Sequence, residues 1–195
     1  MTMIRLWENL TRKGLSLFTP AEFRRALSLS TPAAYMALQR YAKQGAVLRL
    51  RNGLYMLSWQ KPSPLAIANR LYRPSYLSYE TALAYYHLIP ETVYAYTSAT
   101  PRRPREFEVE GQAFVYHSIK PKAYGGYRTE KIGEDTLLIA EPEKALCDYL
   151  HHVFLGRREL NDRLDWKKAD MRKLLAYAEL FGPGGFLGWV RHAFP

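Results

Sequence analysis

The chain has 195 residues, of which 48% are hydrophobic and 24% charged, and its net charge is +10. This composition excludes a disordered chain and predicts a folded protein of one or two domains. The single cysteine, Cys147, excludes an internal disulfide and a zinc site built from several cysteines.

Positive charge is concentrated in the first third of the chain. Residues 1–60 contain nine lysines and arginines but two acidic residues, a net charge of +7, whereas residues 61–195 carry +3. A local positive excess favours a polyanionic partner, so the first third is the candidate nucleic-acid binder. No segment has the length of a membrane span or the apolar core of a secretory signal, which predicts a cytoplasmic protein without a membrane partner.

Two helices are predicted near the start of the chain. Apolar residues recur at helical spacing over 2–13. Residues 19–22 read Thr-Pro-Ala-Glu, a capping box in which the threonine and the glutamate bond each other's backbone amides. This box predicts a second helix over 20–27, with Arg24 and Arg25 on its outer side.

A third helix with marked ends follows. Thr31 is its predicted N-cap, Pro32 suits the first helical position, and Gly45 suits the left-handed C-terminal cap. The predicted inward stripe is Ala34, Leu38 and Tyr41. The residues predicted to face outward are Ala33, Met36, Ala37, Gln39, Arg40 and Lys43. Small residues let the backbone approach a DNA groove and long polar ones reach bases or phosphates, although a solvated helix face is the alternative.

A basic hairpin follows this helix directly. Asn52-Gly53, between strands predicted over 47–51 and 54–57, is a strong signal for a two-residue turn. Arg49 and Arg51 alternate with leucines and are predicted to share one strand face beside the turn. A capped helix that runs into such a hairpin is typical of a winged helix-turn-helix domain, predicted over residues 1–60. The residues predicted to contact DNA are Arg24, Arg25, Thr31, Ala33, Met36, Gln39, Arg40, Lys43, Arg49, Arg51 and Asn52.

A proline-rich joint at 59–64 leads into a second predicted domain, over 61–195. The predicted helices of this domain are 65–72, 79–87, 142–155 and 167–181. The predicted strands are 93–100, 106–110, 113–119 and 136–140. The first three strands are expected to form an antiparallel meander. The whole chain is therefore predicted to be α+β, with a winged helix followed by a larger mixed domain that contains an antiparallel sheet.

Acidic residues and a lysine cluster where the last strand meets a helix. Glu141, Glu143, Lys144 and Asp148 allow two interpretations, a metal-dependent nuclease or a helix start stabilised by acids with a Lys144–Asp148 pair at i,i+4. The spacing favours the structural interpretation, because Glu143 and Lys144 are adjacent rather than two residues apart on a strand. The histidines lack metal-ligand spacing and no glycine-rich phosphate loop is present, so neither a metal nor a cofactor is predicted.

Two further stretches carry a resemblance. Residues 76–91, Tyr-Leu-Ser-Tyr-Glu-Thr-Ala-Leu-Ala-Tyr-Tyr-His-Leu-Ile-Pro-Glu, and 139–148, Ile-Ala-Glu-Pro-Glu-Lys-Ala-Leu-Cys-Asp, stand in order behind the predicted winged helix. Together they resemble the AbiEi-type antitoxins of bacterial abortive-infection toxin–antitoxin systems, which serve in phage defence. The resemblance covers nearly the whole chain, and His87 stands where many members have glycine.

The resemblance implies a protein without enzymatic activity that represses its own operon. It would bind inverted repeats in promoter DNA, where two copies can pair, and its second domain would antagonise a nucleotidyltransferase-type toxin without needing a stable complex. The motif residues of that domain, whose role stays open, are Ser78, Glu80, Arg102, Arg103, Glu143, Lys144 and Asp148. Arg102 and Arg103 belong to a basic turn that is either a second polyanion contact or a solvated loop. A stand-alone winged-helix transcription factor is the main alternative, and the neighbouring gene distinguishes the two.

Overall fold

The computed structural model describes residues 3–133 and 135–194, with side chains from Glu8 onward. The chain divides into two compact units, one up to Ile67 and one from Ala68 onward. Each unit combines helices with a β-sheet, so the predicted α+β class is confirmed. In the described ranges, no helix combines the length and the apolar character that crossing a membrane requires.

The first unit consists of three helices and a small antiparallel sheet. Its elements are α1 (Met3–Arg12), β1 (Leu17–Phe18), α2 (Pro20–Ala26), α3 (Thr31–Lys43), β2 (Val47–Arg51) and β3 (Leu54–Leu57). The strands lie in the order β1-β3-β2. The helix predicted over 2–13 is confirmed from residue 3, and Thr2 lies outside the described residues.

Local capping fixes where α2 and α3 begin. The predicted capping box is confirmed, because Thr19 Oγ1 accepts from the Glu22 amide at 3.3 Å and the Glu22 carboxylate accepts from the Thr19 amide at 2.6 Å. At α3 the predicted N-cap, Thr31, is wrong. Ser30 is the N-cap, with extended backbone, and its hydroxyl accepts from the Ala33 amide at 3.4 Å. An N-cap side chain accepts from an amide two or three residues ahead, which Ser30 does here.

One apolar core holds the first unit together. Phe18 and Phe23 stack with their ring centroids 5.5 Å apart, and the α3 residues Leu38 and Tyr41 are buried against the same cluster. Ala37 was predicted to face outward but is buried, at 8% exposure. It lies three residues after Ala34 and so falls on the same helix stripe. This core fixes which face of α3 is left outside.

The second unit is built on a six-stranded sheet. Its strands are β4 (Tyr76–Leu77), β5 (Ala95–Thr100), β6 (Arg105–Val109), β7 (Gln112–Ser118), β8 (Tyr127–Ile132) and β9 (Asp135–Ala140). Its helices are α5 (Tyr79–Tyr85), α6 (Pro142–Phe154), α7 (Met171–Glu179) and α8 (Phe186–Ala193), and α4 (Pro64–Leu71) contains the boundary between the units. The strand order is β6-β7-β5-β4-β9-β8.

The predicted meander is wrong. β6 and β7 form an antiparallel hairpin, but β5 pairs with β7 in parallel, as β4 does with β9, so the sheet is mixed. β7 contributes buried Phe114 and Tyr116 and takes the inner position, while β6 exposes Glu106 and Glu108 at the sheet edge. Charged side chains suit an edge because they discourage pairing with other chains. β4, β8 and α8 were not predicted as separate elements.

Candidate nucleic-acid interface

The outer face of α3, defined here as Ala33, Met36, Gln39, Arg40 and Lys43, is exposed at all five positions. It is exposed because the opposite stripe of the same helix forms part of the core of the first unit. Ala33 and Met36, near the start of the helix, are small or flexible and let it approach a groove. The other three residues are long and polar and can donate hydrogen bonds. This part of the candidate site lies as the sequence predicted.

The start of α3 also exposes large side chains of low polarity. Tyr35 is 61% and Met36 is 65% exposed. Met36 was a predicted contact, whereas Tyr35 was missed, although its position one residue past the buried Ala34 already turns it away from the core. Apolar and aromatic groups at such a place can contact thymine methyl groups in the major groove.

Arg40 is held along its own helix. Its guanidinium carbon lies 5.0 Å from the ring centroid of Tyr41, which is buried. A cation–π contact of an exposed arginine contributes about 0.5–1 kcal/mol, so it restricts the side chain without fixing it. Arg40 therefore combines exposure with partial orientation, which suits a hydrogen-bonding contact.

The predicted hairpin is confirmed, with Asn52 and Gly53 as its turn and Gly53 at a φ of 78°. The prediction that Arg49 and Arg51 share one strand face is wrong. Arg49 pairs with Tyr55 and Arg51 with Leu54, so β2 has one residue between the two paired positions where β3 has none, and the register shifts there. Tyr55 and Leu54 are consecutive and face opposite sides of the sheet, and so therefore do the two arginines.

The two hairpin arginines accordingly have different surroundings. Arg49 is exposed. Arg51 is half-buried, and its Nη1 donates a hydrogen bond to the Asn52 carbonyl at 2.7 Å, which ties it to the turn. Arg49 and the exposed Asn52 are thus the hairpin groups most available to a ligand.

Three predicted contact residues lie around the start of α3 and on α2. Arg24 and Arg25 are exposed in the last turn of α2, and Thr31 is exposed in the first turn of α3. A basic residue that was not predicted as a contact, Lys13, donates to the Ala26 carbonyl at 2.6 Å and so caps the C-terminal end of α2.

In the second unit, three of the motif residues form one buried network. Asp148 Oδ2 accepts from Ser78 Oγ at 2.7 Å and from the hydroxyl of Tyr76 at 3.2 Å, and its other oxygen pairs with Lys144. The pair predicted at i,i+4 is confirmed. Burial raises the pKa of Asp148, and the charge of Lys144 opposes that rise. Tyr76 completes this network, which joins β4 to α6, but was not among the predicted site residues.

The acidic motif residues outside this network have separate partners. Glu80 pairs with Arg158 at 3.0 Å, and Glu143 Oε1 accepts from the Asp170 amide at 3.2 Å. Glu141, the third acid of the predicted cluster, accepts from the Tyr177 hydroxyl at 3.0 Å. The structure thus does not bring Glu141, Glu143 and Asp148 around one point. Across residues 3–133 and 135–194, no three His, Cys, Asp or Glu side chains are grouped as metal ligands.

The basic turn of the second unit is partly fixed. Arg102 lies 4.7 Å from the ring centroid of Tyr72 and donates to the Arg73 carbonyl at 2.8 Å. Arg103 is exposed, and its carbonyl accepts from the Tyr72 hydroxyl at 3.2 Å. Arg102 is therefore part of the packing around Tyr72, and Arg103 presents its charge to solvent.

The fold also brings together two histidines that lie far apart in the sequence. The rings of His117 on β7 and His152 on α6 have centroids 4.7 Å apart, and the ring of Tyr79 lies 4.8 Å from each. Sequence spacing gave no sign of this cluster, because only the strand order and the packing of α6 create it.

Compared with known protein families and with curated proteins, the chain has no match in either set. The interpretation of the α3 outer face and the hairpin therefore depends on their residues and geometry.

Proposed function

We propose that the chain is a cytoplasmic antitoxin of the AbiEi type that also represses transcription of its own operon. The first unit acts as a winged helix-turn-helix domain on inverted-repeat promoter DNA. The second unit antagonises a nucleotidyltransferase-type toxin, and this antagonism does not require a stable complex. The proposal assigns the protein no enzymatic activity and no cofactor.

The observation that carries the DNA-binding proposal is the exposure of the α3 outer face directly before a basic hairpin. α2 and α3 would be the two helices of the helix-turn-helix, and β2 and β3 would be the wing. The major groove is about 12 Å wide, which accommodates a helix with its side chains. The core stripe of α3 leaves the polar face available for this groove.

The two kinds of contact fall to different residues. Gln39 and Arg40 suit base edges, because an amide or a guanidinium can make two hydrogen bonds with one base. Lys43, Arg24, Arg25 and Arg49 suit phosphates, which set affinity and register rather than sequence. An inverted repeat presents each half-site to one copy of the chain, so two copies would bind one operator.

The three buried motif residues of the second unit have a structural role in this proposal. Ser78, Lys144 and Asp148 are at most 1% exposed, so their network cannot reach a toxin or a nucleic acid directly. Antagonism of a toxin would instead depend on the surface that this network stabilises.

A gel-shift titration on the chain's own upstream promoter against a scrambled fragment tests the repressor function. At near-physiological salt with competitor DNA, we expect stepwise shifts on the promoter alone. Equal weak binding to both fragments would refute operator recognition. Expression beside the adjacent gene tests the antitoxin function: restored growth supports it, and a neighbour without toxicity leaves a stand-alone transcription factor.

A further inference from the structure

Two adjoining cavities in the second unit are lined by cations, imidazoles and aromatic rings. The larger has a volume of about 470 Å³ and the smaller about 200 Å³, and Ser118 and Arg157 line both. Their cationic and imidazole lining residues are His117, Lys120, His151, His152, Arg157 and Arg158. Among the residues that the structure describes, no Asp or Glu lines either cavity. Such a lining suits an anion.

The smaller cavity has the groups that bind phosphate. Arg158 Nη2 lies 3.4 Å from His117 Nε2, and Glu80 holds the same guanidinium at 3.0 Å. The Arg157 amide donates to the His152 carbonyl at 2.9 Å, which fixes the backbone of Arg157 at the C-terminal end of α6. Its side chain is exposed. Guanidinium groups match the geometry of phosphate oxygens and bind them with two parallel hydrogen bonds.

The histidines of the smaller cavity are neutral at pH 7. Burial and the charges of the neighbouring arginines lower the pKa of His117 to about 4. Burial, together with His117 and the same arginines, lowers the pKa of His152 to about 3. The Arg158 guanidinium can only donate, so His117 Nε2 accepts from it and the N–H of this neutral ring is on Nδ1. An anion bound at this place would offset the arginine charge and raise both pKa values.

The larger cavity adds a wall of rings. Phe154 and Phe186 have centroids 5.6 Å apart, and the ring of His151 lies 4.2 Å from that of Phe181. Lys120 stands at this wall, with Nζ bonded to the Phe181 carbonyl at 2.7 Å. Phe181 and Phe186 are at most 3% exposed and form the back of this wall, so the half-buried Phe154 is the phenylalanine whose ring a ligand reaches. Exposed aromatic rings stack with nucleobases, and such stacking tolerates any base.

Tyr79 links the two cavities. It lines the larger cavity, and its ring contacts both histidines of the smaller one. Its φ is 54°, a left-handed conformation that is uncommon for a bulky residue. Such conformations persist where the surrounding structure requires them and are found preferentially at ligand sites.

We propose that these cavities bind a nucleoside monophosphate, with its phosphate at Arg157 and Arg158, beside His117, and its base along Phe154. Arg157 and Ser118 line both cavities, so one ligand can occupy the two together. The ligand that fits has an anionic end and an aromatic end. This inference goes beyond the functions proposed above and does not depend on them.

Calorimetric titration of the full chain with the four nucleoside 5′-monophosphates, inorganic phosphate and the free nucleosides tests the proposal. We expect at least one nucleotide to bind about tenfold or more tightly than phosphate or its nucleoside, since both ends contribute. Arg157→Ala should weaken nucleotide binding by about tenfold or more, because it removes a charged hydrogen-bond donor. Arg191→Ala, which changes an exposed arginine of α8 outside both linings, is the matched control and should bind like the unchanged chain.

Two further readouts separate the ends of the ligand. Phe154→Leu should weaken nucleotide binding while leaving phosphate binding intact, and the retained phosphate binding shows that this variant is folded. In NMR titrations, the His117 and His152 pKa values should rise when the nucleotide binds. Equal affinity for phosphate and nucleotides, no binding at millimolar concentration, or an equal loss in Arg191→Ala would each overturn the proposal.

Discussion

Replacing Lys144 tests whether the buried network holds β4 and α6 together. Lys144→Met keeps most of the side-chain volume but removes the ammonium that pairs with Asp148, and both residues are at most 1% exposed. Removing one partner of a buried ion pair costs about 3–5 kcal/mol, because the other charge is left uncompensated. That is a large share of a domain's total stability of about 5–15 kcal/mol.

The remaining carboxyl can take up a proton, and this gives the prediction a pH signature. Without Lys144, the folded-state pKa of Asp148 should rise further above its unfolded value, because burial is no longer opposed by the ammonium. A carboxyl whose folded pKa is raised loses stability as pH increases. Lys144→Met should therefore be more destabilised at pH 8 than at pH 5.

Hydrogen exchange of the α6 amides measures the free energy of opening in this unit directly. A matched control is Lys168→Met, which removes an exposed ion pair with Asp165, at 3.1 Å, and should cost no more than about 1 kcal/mol. The double change Lys144→Met with Asp148→Asn should recover most of the loss, because the amide oxygen still accepts from Ser78. A cost below about 1 kcal/mol for Lys144→Met at pH 8 would refute the reasoning.

Three more predictions follow from the structure. Arg49→Ala should weaken binding to operator and random DNA alike and reduce the slope of log binding constant against log salt concentration by about 1. Fluorescence anisotropy at several salt concentrations measures both effects. An equal effect of Arg51→Ala would contradict the different surroundings of the two arginines. Tyr35→Ala should change thermal stability by no more than about 0.5 kcal/mol while weakening operator binding, and a variant that unfolds would show that Tyr35 is needed in the core. The pKa of His152 is 6.5 in the unfolded chain and about 3 in the folded one. Below pH 6.5 the unfolded chain therefore binds a proton that the folded chain does not, so the free energy of unfolding, measured with denaturant, should decrease as the pH falls from 6.5 to about 3. His152→Gln should make that fall shallower, and an unchanged pH dependence would contradict the burial of a neutral imidazole.

Features set by neighbouring residues could be predicted from the sequence. The capping box of Thr19 and Glu22, the turn at Gly53 and the Lys144–Asp148 pair each involve groups within four residues of each other. Their geometry follows from local backbone chemistry, which periodicity and residue type report directly.

Features set by strand pairing could not be predicted in this way. The extra residue between Arg49 and Arg51 reverses the face of one arginine, and only the pairing with β3 shows it. Likewise β5 lies beside β7 rather than beside β6. This order depends on which of β6 and β7 takes the inner position in the sheet and which takes the edge. The contact of His117 with His152 is a consequence of that strand order.

The ratio of dissociation constants for operator and random DNA, measured for the unchanged chain and for Arg40→Ala, tests the central claim most directly. If the α3 outer face reads bases, Arg40→Ala should cost roughly 1–3 kcal/mol on the operator and far less on random DNA, so the ratio collapses. An equal loss on both, with the ratio unchanged, would show that Arg40 contacts phosphate only and would contradict base recognition through α3.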